Sequence, residues 1–599
     1  MKSKSIIGAA LAAIVTLGAT TSCADMFDID STRVVTSDKH TLSTSADSAY
    51  STLGVLQCMR EIADRYIILG EVRGDLIEIN EYTKTSIRNL AEFNFDEENE
   101  YLNVRDYYAV INNCNYILAK MDTTIAHNNE RVMIDEYAAV LGVRAWTYMQ
   151  LAINHGKVPY YLNPITTVAG SEENYPVLDI KELAAELIPQ LLPYVEYDLP
   201  VFVSSPSITN RIYPPLKLVV ADLYLWSGDY LNASKTYWEY LTTHEDFSYS
   251  YGDGTNNETF RGYMGLNGSR LEYFQRGSLS STSAVNWQEY QHYGGTANGY
   301  ENLAYIPMER TSAAGIVSEV PSLFASLDNT HSLNPSTYLK ELSNKQAYIT
   351  AEYDKNNNLT GYTVNALAGD RRYAYYLAHP YSSSEEEIEY YDKFVQRTSA
   401  DGATIEMTTQ QINLYRRSIV YLRAAEAFNS QAKEMYVAGD SIAMADAAKL
   451  ATMSFNLMKD AYKVFFPEGH KALGKYLQTA FIGVHAKGCG DVHVDTSHFA
   501  LKPATIAKRF ELAETELTFN DTIKFIDELI LDELALEATL EGNRFGDLVR
   551  FAKRRQAWGE ADYYDVLAKR VASRKGELLF DEELYNKLTD ENAWYLPLK

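Results

Sequence analysis

IDELILDELALEATLEGNRFGDLVRFAKR, residues 526–554, is the stretch whose reading decides the fold. At 100° per residue, Glu533, Glu537, Glu541 and Arg544 fall within roughly 80° of one another on one helical face. Asp547 and Arg550 continue the stripe at three-residue steps. Leu534, Leu536, Leu540, Phe545, Leu548 and Val549 fill much of the remaining surface. Gly542 stands inside this helical pattern, where it costs about 1 kcal/mol relative to Ala, so a packing role is expected of it. Three acids followed by Arg, Asp and Arg neutralise one another, which predicts an ion-pair network locking the helix against its neighbours. The rival reading is a carboxylate pair for glycoside hydrolysis, which needs one raised pKa. Arginines beside acids spaced four apart push carboxyl pKa values down, which favours the network.

The surrounding chain bounds the function. Its 599 residues suffice for several ordinary domains or one large repeat-built one. Apolar residues make up 46%, the composition of a globular protein. Tyrosine is abundant, 46 residues against 21 Phe, and its apolar ring with a polar tip suits partly wet stacking surfaces. The formal net charge is −26, which argues against nucleic acid as a partner because phosphate contacts need Lys and Arg. No apolar run in the body of the chain reaches the roughly 20 residues that span a bilayer.

The first residues, MKSKSIIGAALAAIVTLGATTSC, join a charged Lys2 and Lys4 to a short apolar run, Ile6 to Ala19. This reads as a secretory signal over residues 1–22. Thr20, Thr21 and Ser22 precede Cys23 as in a bacterial lipoprotein cleavage site, so Cys23 is the expected lipidation point. Residues 23–40 form a polar tether with Asp25, Asp28 and Asp30. With Cys23 lipidated, Cys58, Cys114 and Cys489 remain, an odd count that argues against a disulfide framework.

Helical periodicity fills residues 41–245. Paired helices are expected near 45–120, 100–155, 180–240 and, further on, 411–465. Gly156 stops the helix that precedes it and Pro159 bars its continuation; Val177 to Leu192 reads as the next helix. In LYLWSGDY, residues 223–230, a Gly turn joins two helical runs in the manner of a tetratricopeptide unit, and such pairs stack into superhelices. Residues 246–410 break the pattern and are rich in Gly, Ser, Asn and Tyr; loops of this length are functional or disordered, and the aromatic content argues against disorder. AYITAEYDKNNNLTGYTV, residues 347–364, alternates around a turn at Lys355 to Asn358, a β-hairpin signal. Asp354, Asn356 and Asn358 lack the Gly and the Glu that a calcium loop needs and read as a turn. Glu426, three residues after Arg423, forms a normal helix pair with it in this reading. His485, Cys489, His493 and His498 carry zinc-ligand atoms, but their spacing fits no standard site. They read as part of a Gly-rich connector, with no metal and no cofactor. The closing AWYLPLK suits a docked terminal strand or coil.

Several segments, in order, resemble the SusD/RagB family. They are Tyr107, Tyr108, Ile111, Asn112, Asn115 and Leu118; then Arg144, Ala145, Tyr148, Leu151, Gly156 and Pro159; then Gly369 to Arg372; and then IVYLRAAEAFN at 419–429. The last is Glu533-x3-Glu537-x3-Glu541-Gly542-x-Arg544-x2-Asp547-Leu548-x-Arg550, with Leu534 and Ala538 in place of the family's usual Arg and Leu. The resemblance implies a mainly α fold: a tetratricopeptide-like helical superhelix with an irregular, loop-rich subdomain containing short β-hairpins. Residues 411–599 would be its C-terminal helical region. It implies a lipid-anchored protein on the outside of the outer membrane. Such a protein captures an oligosaccharide without cleaving it and delivers it to a SusC-like TonB-dependent transporter. A binder of peptide or another nutrient is the alternative, and a glycoside hydrolase using Glu289 or Glu301 a third reading.

Sugar rings lay C–H faces on aromatic rings while their hydroxyls meet polar side chains. Trp287, Tyr290, Tyr293, Tyr300 and Tyr305, interleaved with Asn298 and other amides among turn-forming glycines, are the expected ligand surface. The resemblance adds Arg73, Asp75, Asn80 and Tyr82 from the segment ILGEVRGDLIEINEY, residues 68–82. The rival reading is that these tyrosines pack the loop onto the helical scaffold.

Overall fold

The computed structural model describes residues 42–200, 210–244, 247–252, 257–261, 302–309, 315–326, 330–378, 390–391, 393, 396–397, 405–406, 411–439, 441–465, 483–491 and 493–598, save residues 97, 129, 198 and 357. The leader, Cys23 and the tether lie outside them.

The fold is mainly α. Its principal helices are α1 (Ser45–Glu71), α2 (Arg105–Lys120), α3 (Ile134–His155), α4 (Ile180–Leu191), α5 (Leu216–Ser227), α6 (Tyr230–Thr243), α7 (Arg417–Ala438), α8 (Ser441–Lys459), α9 (Phe519–Glu537) and α10 (Arg544–Ala557). They stack as tetratricopeptide-like pairs: α1 on α2, α2 on α3, α4 on α5, α5 on α6 and α7 on α8. Helix α6 also packs directly on α7. Helix α7 reaches α9, and α1 reaches α10, so the last helices cross-link the stack. Among the described residues, no helix is long and apolar enough to cross a membrane.

Local chemistry explains the ends of these helices. Asp179 caps α4 by accepting from the N–H groups of Lys181 and Glu182, and the Glu182 carboxylate reaches back to the Asp179 N–H. The helix read over Val177 to Leu192 therefore starts later, because Val177–Asp179 pairs as a strand with Lys157–Pro159. Asp229 caps α6 on the N–H of Asn232 at 3.2 Å.

Strands are short and pair in twos among the described residues. Those that bear on the site are β1 (Ile77–Ile79), β2 (Asn302–Pro307), β3 (Leu333–Pro335), β4 (Tyr348–Tyr353), β5 (Leu359–Asn365) and β6 (Gln411–Arg416). β1 pairs with β3, β2 with β6, and β4 with β5, all antiparallel. At the β4–β5 turn the Asp354 carboxylate accepts from the N–H groups of Asn356 and Asn358, both at 2.8 Å. These bonds belong to a turn. β6 runs straight into α7, which seats β2 on the helical stack.

One apolar core runs from Leu42 to Leu596. The C-terminal segment is docked coil. Trp594 is fully buried, and its indole N–H donates to the Leu588 carbonyl at 2.8 Å. The Leu596 N–H donates to the Asn154 carbonyl at 2.9 Å.

The structure corrects the reading of 526–554 as one helix. Helix α9 ends at Glu537 and α10 begins at Arg544. Between them Leu540 and Gly542 turn left-handed, with φ of +64° and +78°. The cause is tertiary. The Glu71 carboxylate, fully buried at the end of α1, accepts from the N–H groups of Leu540 at 3.2 Å and Gly542 at 2.7 Å. These bonds satisfy backbone donors that a continued helix would have used itself. The packing role of Gly542 is real but lies in a turn: a Cβ there would stand 2.8 Å from both the Tyr66 carbonyl oxygen and its ring.

Candidate functional site

The acids of the 533–541 segment sit in a buried, charge-balanced network. Arg372 bridges three carboxylates, with Nη2 2.7 Å from Asp370 and 3.0 Å from Glu533, and Nη1 3.1 Å from Glu537. Arg416 spans the next pair, 3.0 Å from Glu537 and 2.7 Å from Glu541. Lys393 closes on Glu541 at 2.6 Å, and Lys487 on Glu537 at 3.0 Å. Asp370, Glu533, Glu537 and Glu541 thus face Arg372, Arg416, Lys393 and Lys487, four charges of each sign. Burial alone would raise the carboxyl pKa values of Glu533 and Glu537. Their partners outweigh it and hold both below the usual carboxylate range: the Arg372 cation and the hydrogen bond with His485 at Glu533, and the Lys487, Arg416 and Arg372 cations at Glu537. None of these acids is more than 4% exposed, so the set is closed to a substrate and acts as a clamp.

The segment 483–491 belongs to this clamp and is no loose connector. Ala486–Cys489 forms one helical turn pressed against Asp370, whose carboxylate occupies the space that a Cβ on Gly488 would need. His485 Nδ1 lies 2.6 Å from Glu533, and its ring stacks on Phe499 at 3.6 Å. The Cys489 thiol donates to Asp370 at 3.3 Å. His493 Nδ1 contacts Asp491 at 2.6 Å. These atoms serve hydrogen bonds, and among the described residues no three His, Cys, Asp or Glu side chains converge as a metal site would require. Sequence reasoning misses Lys487 and His485 as network members; the one signal is a Lys among small residues in AKGCG.

A second network extends along α10. Arg550 grips Glu426 with two bonds of 2.8 Å and reaches Asp547 at 2.8 Å. Arg554 also contacts Glu426, and it meets Asp527 at 2.5 Å. The i−3 pairing of Glu426 with Arg423 does not form. Arg423 instead turns to Asp222 at 2.5 Å and to the Asn543 amide at 3.0 Å.

The residues expected to meet ligand fall into three groups. Arg73 and Asp75 are fully buried, which corrects their assignment to a ligand surface. Arg73 donates to the carbonyls of Leu69 at 3.1 Å and Trp594 at 3.2 Å, and its guanidinium lies 3.7 Å from the centre of the Phe545 ring. Asp75 is paired with Arg544. Tyr305 is likewise corrected: it is 4% exposed on β2, which is buried along nearly its whole length. β2 is pinned where the Arg60 guanidinium donates to the Pro307 carbonyl at 2.6 Å and Arg211 donates to the Asn302 carbonyl.

Asn80 and Tyr82 lie beyond β1, at the surface. Asn80 is half-buried and donates to the His331 carbonyl at 2.9 Å and to Asn334 at 3.1 Å. It also accepts from the Tyr82 N–H at 2.9 Å, and Tyr82 stands 51% exposed. Trp287, Tyr290, Tyr293, Asn298 and Tyr300 lie outside the described residues, as do Glu289 and Glu301.

No protein-family model matches the chain. No curated protein matches it either. Among solved structures it is similar to a SusD superfamily protein from Bacteroides vulgatus, with a TM-score of 0.55 and 13% identity over 93% of this chain and 96% of that one. A SusD superfamily protein from Bacteroides thetaiotaomicron aligns at a TM-score of 0.52 and 13% identity, over 93% of this chain and 100% of its own. Another from the same organism aligns at 0.51 and 15% identity, over 93% and 95%. The chain has the fold of the SusD superfamily.

Proposed function

We propose that this protein is a non-catalytic, surface-anchored binding protein that captures an oligosaccharide and delivers it to a SusC-like TonB-dependent transporter in the outer membrane. The observation that carries the reading is the SusD-superfamily fold along nearly the whole chain. The motif segments from Tyr107 to Arg550 support it, because they resemble the SusD/RagB family in the same order. Lipid on Cys23 tethers the protein to the outer leaflet, and the acidic residues after it belong to the tether. The ion-paired helical stack serves as a rigid platform, and the Tyr-rich stretch between α6 and α7 supplies the aromatic ligand surface. The acids of the signature are spent on Arg and Lys partners, which suits a clamp and not acid–base catalysis.

The test is a binding screen of the full chain against glycans and peptides, with chromatography of every ligand that binds. The reading expects a glycan to bind and to be recovered at its original length. Peptide binding without glycan binding would replace the ligand class, and recovery of shorter glycan products would replace binding by hydrolysis. Pull-down of the tagged, lipidated protein in mild detergent is expected to recover a large barrel protein in near-equal amount.

A further inference from the structure

Helices α6, α7 and α8 and the short helix Ala461–Phe465 border a groove of about 890 Å³. Trp238, Phe428, Leu450 and Met453 form its apolar wall. Trp238 is fixed in place: it stacks on Phe465 at 5.1 Å with the rings 5° from parallel, and meets Phe428 edge-on at 6.3 Å. It remains half-buried, so part of the indole is open to an occupant.

The charged residues around this wall are of one kind. Lys235, Lys449 and Lys463 line the groove, and its described lining contains no Asp or Glu. The chain as a whole carries a net charge of −26, so a lining whose charged side chains are all Lys stands out. Lys449 pairs with Asp446 at 2.8 Å and Lys463 with Asp460 at 3.3 Å, each three residues away. Both lysines are more than half exposed. The Lys449–Asp446 pair is exposed on both sides and weak, so Lys449 can turn to another anion. Asp460 is buried, so Lys463 keeps that partner and meets a ligand with its other ammonium protons. Lys235 has no ion-pair partner among the described residues. The Ser234 hydroxyl donates to Gln431 Oε1 at 2.8 Å, which leaves the Gln431 amide nitrogen as a further donor at the groove.

A mostly apolar concavity of this volume with a few convergent polar groups has the make-up of a small-molecule site. Cationic donors without carboxylate acceptors match a ligand that brings negative charge. The Thr452 hydroxyl and the Asn456 amide can accept from a sugar, but a neutral sugar brings no negative charge to the lysines. We propose that this groove binds a small amphipathic organic anion, with its ring system against Trp238, Phe428 and Met453 and its carboxylate or sulfonate met by Lys235, Lys449 and Lys463. The site is independent of the oligosaccharide surface, and either can fail without the other.

The experiment titrates the full chain with 1-anilinonaphthalene-8-sulfonate, and separately with N-phenyl-1-naphthylamine, which has the same rings and no sulfonate. The sulfonate probe is expected to bind one per chain, and the neutral probe at least about tenfold more weakly. The double variant Lys235→Glu/Lys449→Glu is expected to lose at least about tenfold in affinity for the sulfonate at an unchanged melting temperature. Equal binding of both probes, unchanged sulfonate binding in the double variant, or no sulfonate binding at all would each overturn the proposal. The two-probe comparison uses the unaltered chain, so the test survives even a variant that folds poorly.

Discussion

Arg544 holds Asp75 with two parallel bonds, Nε to Oδ1 at 2.6 Å and Nη2 to Oδ2 at 2.7 Å, between residues 469 apart in the chain. Both side chains are buried, and Arg544 also donates to the Leu531 carbonyl at 2.9 Å. Burial opposes the charge on Arg544, but Asp75 outweighs it and raises its pKa. The pair clasps the start of α10 to the segment that follows α1, and so joins an early part of the fold to a late one.

Removing one partner of this clasp strands a buried charge. Asp75→Ala is expected to cost about 3–5 kcal/mol. The double variant Asp75→Leu/Arg544→Met is expected to cost less than the sum of its single changes, since no lone charge remains. Urea unfolding measures both. A single-variant cost below about 1 kcal/mol would show that the clasp is not structural.

Gly542→Ala meets both a left-handed backbone and a filled space, and is expected to destabilise by about 2–3 kcal/mol. Gly559 is the control. Its φ is +84° but nothing lies within 4 Å of a Cβ placed there. Gly559→Ala is therefore expected to cost only about 1 kcal/mol. Equal losses of melting temperature in the two variants would mean that the contact with Tyr66 is without effect.

Burial pushes the Glu71 carboxyl up from 4.5 to about 7, against the N–H groups of Gly542 and Leu540 and the nearby Lys393 and Arg544. The folded state then holds this proton more tightly than the unfolded chain. The contribution is fully present below pH 4.5 and is lost as pH rises from there through about 7, by about 3 kcal/mol in all. Glu533, Glu537 and Glu426 act oppositely and in a lower window, losing their contribution as acid protonates them below the ordinary carboxylate range. The difference in unfolding free energy between the unaltered chain and Glu71→Gln isolates the first effect. It should change steadily between about pH 5 and 7, and a flat difference there would refute it.

If the Tyr-rich stretch is the oligosaccharide surface, Trp287→Ala and Tyr293→Ala should each weaken glycan binding at least about tenfold, roughly 1.4 kcal/mol. The melting temperature should not move. Normal binding in both variants, or unfolding of both, would make these rings scaffold.

Cys23→Ser is expected to shift the protein from membranes to the soluble fraction, because stable anchoring needs more than one acyl chain and all of them would be lost together. A variant that stays in the membrane fraction with unchanged mass would end the lipoprotein reading.

The helical pairs were legible in the sequence because their signals are local. Apolar spacing and the Gly turn at 228 act within a few residues, and the array follows them from α1 to α8. The turn at Asp354 and the stop at Gly156 were legible for the same reason. The charge balance of residues 533–550 was visible too, as a set of groups that must find partners if buried.

Which partners they find, only the tertiary structure decided. Arg423 lies one turn from Glu426, yet Glu426 is taken by Arg550 and Arg554 from α10. Arg73 and Asp75 have the residue types of a ligand surface, but Asn154, Trp594 and Arg544 close over them. The helix drawn through Gly542 is broken by a carboxylate on α1 that no local pattern announces. Periodicity tells which face of a helix is buried, because that depends on neighbours three and four residues away. The choice among many like-charged partners depends on which of them packing brings together and strips of water, and that is settled across the whole chain.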